Sequence, residues 1–134
     1  MFKNILVLSS FFMVLSTGAF ADDGHTHSET VCSALNAKVC AHLGMPKTLN
    51  THDEAKFVAH VETQADAPVN GMTVTLFMPE MGHGSAPVSL KDAGKNRFMV
   101  SNAWFTMAGK WLVKMDFKFE GQQHHIEIPV SVAE

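Results

Sequence analysis

From residue 55 onward, apolar and polar side chains alternate with a period of two. In AKFVAHVETQ (55–64), Phe57, Ala59 and Val61 fall on one side and Val58, His60 and Glu62 on the other. MTVTLFM (72–78) separates Val74, Leu76 and Met78 from Thr73, Thr75 and Phe77. WLVKMDFKFE (111–120) aligns Trp111, Val113, Met115, Phe117 and Phe119 against Lys114, Asp116 and Lys118. HHIEIPVSV (124–132) turns Ile126, Ile128, Val130 and Val132 inward. Successive side chains of a pleated strand leave opposite faces, so this is the pattern of half-buried strands. PVSLK (87–91) and RFMVSNAWF (97–105) add two more, and the turn-rich stretches APVNG, PEMGHGSAP, KDAGKN, AGK and EGQQ separate them. Short strands with frequent turns predict an all-β, antiparallel β-sandwich over residues 55–134.

The chain ahead of residue 55 reads differently. Val31, Leu35, Val39 and Leu43 recur every four residues, which predicts a short helix stopped by Gly44-Met45-Pro46. Residues 22–30, DDGHTHSET, are polar and acidic and predict a flexible arm. At the start, Lys3, the apolar run ILVLSSFFMVL (5–15) and the small-residue site AFA (19–21) predict a signal peptide over residues 1–21, cut after Ala21. The run is shorter than the roughly 20 residues of a membrane span, so no stable span is expected after cleavage.

Strand parity predicts which loops meet. If consecutive strands run antiparallel and 87–91 is a strand, the loop 79–86 and the turn 106–110 lie at one rim, with His52 in the entry at 50–55. KDAGKN, EGQQ, His124 and His125 then lie at the other end, where both histidines are expected to face solvent.

The chain has 10 basic and 13 acidic residues, a net charge of −3. It has no basic stripe, so nucleic acid is not an expected partner. What changes the picture is the content of the first rim. MPEMGHGS (78–85) sets two thioethers and an imidazole within six residues. A thioether is soft and neutral and prefers Cu(I), whereas imidazole accepts either copper oxidation state. Met78, Met81 and His83 are therefore candidate metal ligands, and Met107 is the candidate fourth. For Met78 the competing reading is the last inward residue of its strand, and for Met107 a plug at the rim. Met72, Met99 and Met115 are expected to be packing.

Cys32 and Cys40 lie eight residues apart. In one unbroken helix that is about 12 Å along the axis, beyond the roughly 7 Å between Cα atoms that a disulfide tolerates. Either the helix breaks near Asn36 and a disulfide forms, or the thiols stay free, with a thiolate site including His42 as a further option. The spacing is wider than the C-x₂₋₄-C of zinc sites. His25 and His27, on the arm, are candidates for weak Cu(II) or zinc capture. GHGS lacks the G-x-S-x-G spacing of a nucleophile elbow, and no other group of residues implies catalysis, so an enzyme is not expected.

MPEMGHGSAPV together with WFTMAGKWLVKMDF resembles the YtkA-like domain family over roughly residues 55–132. The resemblance implies an immunoglobulin-like sandwich and copper handling in the bacterial envelope, and some members are similar to FixH-like factors that support oxidase assembly. It matches Met78, Met81, His83 and Met107 to the positions of interest, and departs from the family where Ala108 replaces a common proline. The reading expected from all of this is a Cu(I) carrier or chaperone, periplasmic or otherwise exported to the bacterial envelope, whose partner is a copper-donating or copper-accepting envelope protein. The alternatives are a metal-free envelope interaction or assembly module and a redox protein working through Cys32 and Cys40.

Overall fold

The computed structural model describes residues 25–134, so the signal peptide expected over residues 1–21 lies outside the described residues. Ten strands follow in chain order: β1 (His25–His27), β2 (Val31–Cys32), β3 (Cys40–Pro46), β4 (Ala55–Glu62), β5 (Asn70–Met78), β6 (His83–Gly84), β7 (Ser89–Asp92), β8 (Arg97–Ala103), β9 (Gly109–Phe119) and β10 (Gln122–Val132). One sheet has the order β1-β3-β4-β8-β7, with β2 also paired to β3, and the other has the order β10-β9-β5-β6. Every strand pair is antiparallel. The fold is the expected all-β sandwich.

The alternation seen in the sequence is the burial pattern. Trp111, Val113, Met115 and Phe117 of β9 have no exposed surface, and Leu76, Ile128, Leu43, Ala59 and Val100 meet them from five other strands. Burying side chains of this size contributes about 1.5–3 kcal/mol each. Residues 63–69 carry the chain from one sheet to the other, and Asn96 fixes that crossing. The buried Asn96 side chain accepts a hydrogen bond from the Val69 N–H at 3.0 Å and donates one to the Ala67 carbonyl at 2.8 Å.

Residues 31–50 contain no helix. A spacing of four is even, so it satisfies a strand face as well as a helix stripe. The residues between decide: Val39, Ala41, Leu43 and Met45 are all buried, one face of β3 and its approach, while Leu35 is 62% exposed in the turn. Asn36 makes that turn, its carbonyl accepting from the Val39 N–H at 3.0 Å and its side chain from the Lys38 N–H at 2.9 Å. The turn folds β2 back on β3, which sets Cys32 opposite Cys40, and the two form a disulfide. Nor is the arm wholly free, since His25, Thr26 and His27 pair with Pro46, Met45 and Gly44.

The start of β10 also departs from expectation. His124 is not a surface residue: it is 1% exposed, stacked on Phe117 with ring centroids 5.5 Å apart, and hydrogen-bonded through Nδ1 to the Ser33 hydroxyl at 2.7 Å. It shares the parity of Ile126 and Ile128, and the N-terminal segment covers it. His125, of opposite parity, faces solvent as expected, with Nδ1 2.6 Å from Asp116 and Nε2 2.9 Å from Glu127.

Two stability measurements test these contacts. Replacing the disulfide by Cys32→Ser/Cys40→Ser releases a short loop and should lower unfolding stability by about 2–3 kcal/mol in a urea titration. Hydrogen bonds donated by its ring to Glu127 and then to Asp116 raise the His125 pKa above its ordinary 6.5. A raised pKa gives stability that is complete below the unfolded value and lost as pH rises through the folded one. The melting-temperature gap between the wild type and His125→Gln should therefore be wider at about pH 6 than at about pH 9.

Candidate metal centre

The rim predicted from parity exists. β5 ends at Met78, and the chain reverses through a tight turn in which the Met78 carbonyl accepts from the Gly82 N–H at 3.0 Å. Pro79 brings no N–H to the turn, and Gly82 takes φ +65°, a conformation suited to glycine. The returning β6 sets His83 opposite Met78 and Gly84 opposite Phe77. Across the rim, the connection from β8 to β9 carries Trp104, Phe105 and Met107.

Trp111 joins the two turns. Its indole is fully buried, and Nε1 donates to the Met107 carbonyl at 2.8 Å. The ring centroid lies 6.5 Å from that of His83 and 5.4 Å from that of Phe105, edge-on to both. The four sequence candidates thus sit at one rim but differ in access. Met81 is 53% and Met107 40% exposed, and His83 is exposed. Met78 is 3% exposed and packs under Gly109, where a Cβ would come within 3.0 Å of its Cε. His52 belongs to the same end, because Asn50 bridges to Ala133, beside the Val132–Gly109 pair.

A second group of side chains comes together only in the fold, and it takes in His25 and His27, the arm's candidates for weak Cu(II) or zinc capture. On the outer face of the first sheet, β3 and β4 place His42 directly opposite His60, with ring centroids 4.9 Å apart. The ring of His27 lies 5.6 Å from that of His42. Nδ1 of His42 is 3.4 Å from a Glu62 carboxylate oxygen. His25, His27, His42, His60, Arg97 and Met99 line an open groove of about 440 Å³ over this face. Burial, then Arg97 and then His42, lowers the His60 pKa below 6.5, which keeps its imidazole neutral near pH 7. Met99, expected in the packing, is 43% exposed here, whereas Met115 is fully buried and Met72 packs partly against the core. The outward parity of His60 was visible in AKFVAHVETQ. The spacing of four predicts a helix over β3, and a helix has no strand partner, so the sequence does not place His42 as its neighbour. The disulfide takes both sulfurs, so the thiolate site with His42 does not form.

Residues 37–116 match the YtkA-like family. The chain belongs to the YtkA-like family. The match begins in the turn before β3, earlier than the resemblance near residue 55, and stops within β9, so it takes in both rim turns and the His42–His60 pair. No curated protein and no solved structure matches the chain. Among the described residues of this YtkA-like protein, no helix is long and apolar enough to cross a membrane.

Gly109 tests how tightly the rim is built. It adopts φ +128°, and a Cβ there meets the end of Met78. Gly109→Ala should cost about 1–3 kcal/mol in unfolding stability from backbone strain. It should also shift the Met78 methyl resonance while leaving that of Met45, on the opposite sheet, in place.

Proposed function

We propose that this YtkA-like protein is exported to the bacterial periplasm and there carries copper, as Cu(I), at the rim formed by the 78–84 and 104–109 turns. The observation that carries the reading is the pairing of soft donors with access. Met81 and Met107 are about half exposed on two turns tied together by the buried Trp111, with the exposed His83 beside the same indole. Leaving a methionine in water forgoes much of the 1.5–3 kcal/mol that burying it would contribute. Two such residues at one rim fit a purpose other than packing.

The donor set fits the ion. Two thioethers and one imidazole form a soft, neutral set that favours Cu(I) over zinc or hard cations. Capture is assigned to Met81, His83 and Met107. Met78, packed under Gly109, underlies the turn and reaches an ion only if that turn opens. Copper is cargo here, and no reaction is assigned to the protein. A neutral, open ligand set leaves the charge of the cation only partly compensated, which suits transfer to a copper-accepting envelope protein better than storage.

One observation favours a second reading. Met81, Trp104 and Met107 are the large apolar side chains exposed in these two turns, with Trp104 at 42%. Such a patch also suits a metal-free contact with an envelope partner. Anaerobic Cu(I) titration against a competing chelator separates the two. The carrier reading expects one copper per chain, and Met81→Leu/His83→Ala should weaken it at least about tenfold, equivalent to 1.4 kcal/mol. Equal affinity in the wild type and the variant would sink the carrier reading and leave the contact surface.

A further inference from the structure

We propose that the outer face of the first sheet holds a second metal site, in which His27, His42 and His60 bind a divalent cation of borderline softness, Zn(II) or Cu(II), with Glu62 at its edge. It does not rest on the rim reading, and it shares no residue with the rim.

The argument begins with register. Antiparallel pairing sets His42 beside His60 across β3 and β4, and sets His27 beside Gly44 across β1 and β3. Gly44 has no side chain, so nothing of its own stands between His27 and the other two rings. Three imidazoles from three adjacent strands therefore converge, at centroid distances of 5.6 Å and 4.9 Å. One ligand atom each from His42, His60 and Glu62 already lie within 4.8 Å of one another. Ligands bound at about 2.0–2.1 Å lie at most about 4 Å apart, so rotation of exposed or half-exposed side chains is enough to close the set.

Packing gives a weaker account of the same residues. The three rings lie on the solvent side of the sheet, and β1 is exposed along its whole length. The groove above them is open, with space for an ion and its remaining water ligands. Among the described residues, neither ring nitrogen of His60 has a hydrogen-bond partner, which leaves a lone pair available. Imidazole nitrogen with a carboxylate oxygen suits Zn(II) and Cu(II), unlike the sulfur-rich rim. Arg97 opposes binding. It pairs with His60 across β4 and β8, and its positive charge repels a cation, while the Glu62 carboxylate offsets part of that repulsion. The site should therefore tighten when Arg97 loses its charge.

The test uses untagged protein titrated with Zn(II) by calorimetry and with Cu(II) by electron paramagnetic resonance. One equivalent should bind, with nitrogen superhyperfine structure in the Cu(II) spectrum. His42→Gln and His60→Gln should each weaken binding at least about tenfold, and Arg97→Gln should strengthen it. His27→Gln, on an exposed edge strand where folding is not at risk, should also weaken it. Met81→Leu/His83→Ala should leave it unchanged. Binding that survives both His42→Gln and His60→Gln, or that disappears with the rim variant, would overturn the proposal. The ions and the variants differ from those of the Cu(I) titration, so either reading can fail while the other stands.

Discussion

Trp111 is the point at which core and rim become one object. Its indole is fully buried at the start of β9, yet Nε1 reaches the Met107 carbonyl and the ring lies at a steep angle to that of His83. A buried indole N–H without a partner would cost about 1–3 kcal/mol, so the turn at Met107 is held where the core needs an acceptor. β9 then runs between β5 and β10 with every second side chain buried. β5, which carries the hairpin with His83, pairs with that strand, and Met78 packs under Gly109, its first residue.

The sandwich offers two surfaces of unlike chemistry. At the rim the donors are thioethers with one imidazole, on turns. On the outer face of the first sheet they are imidazoles with one carboxylate, fixed by strand register. Loops suit exchange because their backbone is less constrained, whereas residues on paired strands hold their spacing. Donor softness differs between the two surfaces, so the two proposals concern different cations and are tested separately.

Much of the fold was legible because a period of two has one structural meaning when it runs through long segments. Strands β4, β5, β9 and β10, their inward residues and the rim shared by MPEMGHGS and Met107 all follow from alternation and parity. The N-terminal part differs from its expected helix for a definite reason. Val31, Leu35, Val39 and Leu43 are spaced by four, and an even spacing fits a strand as well as a helix. The exposed Leu35 and the inward Ala41 and Met45 resolve the ambiguity only once β3 has a partner. His124 has a related history: its parity pointed inward, but a histidine at a strand start reads as polar until Ser33 and Phe117 are seen around it.

The sequence by itself determined the class of the fold, the alternation of its core and the soft donors gathered in one short loop. These are local properties, set by side-chain chemistry and by spacing along a single strand or turn. Tertiary structure decided which strands are neighbours. That choice brought Cys32 to Cys40, sealed Met78 beneath Gly109 while Met81 and Met107 stayed open, and assembled His27, His42 and His60 from three strands. Cross-strand register depends on the packing of the whole core at once, so the histidine cluster is absent from any single segment and present only in the folded sheet.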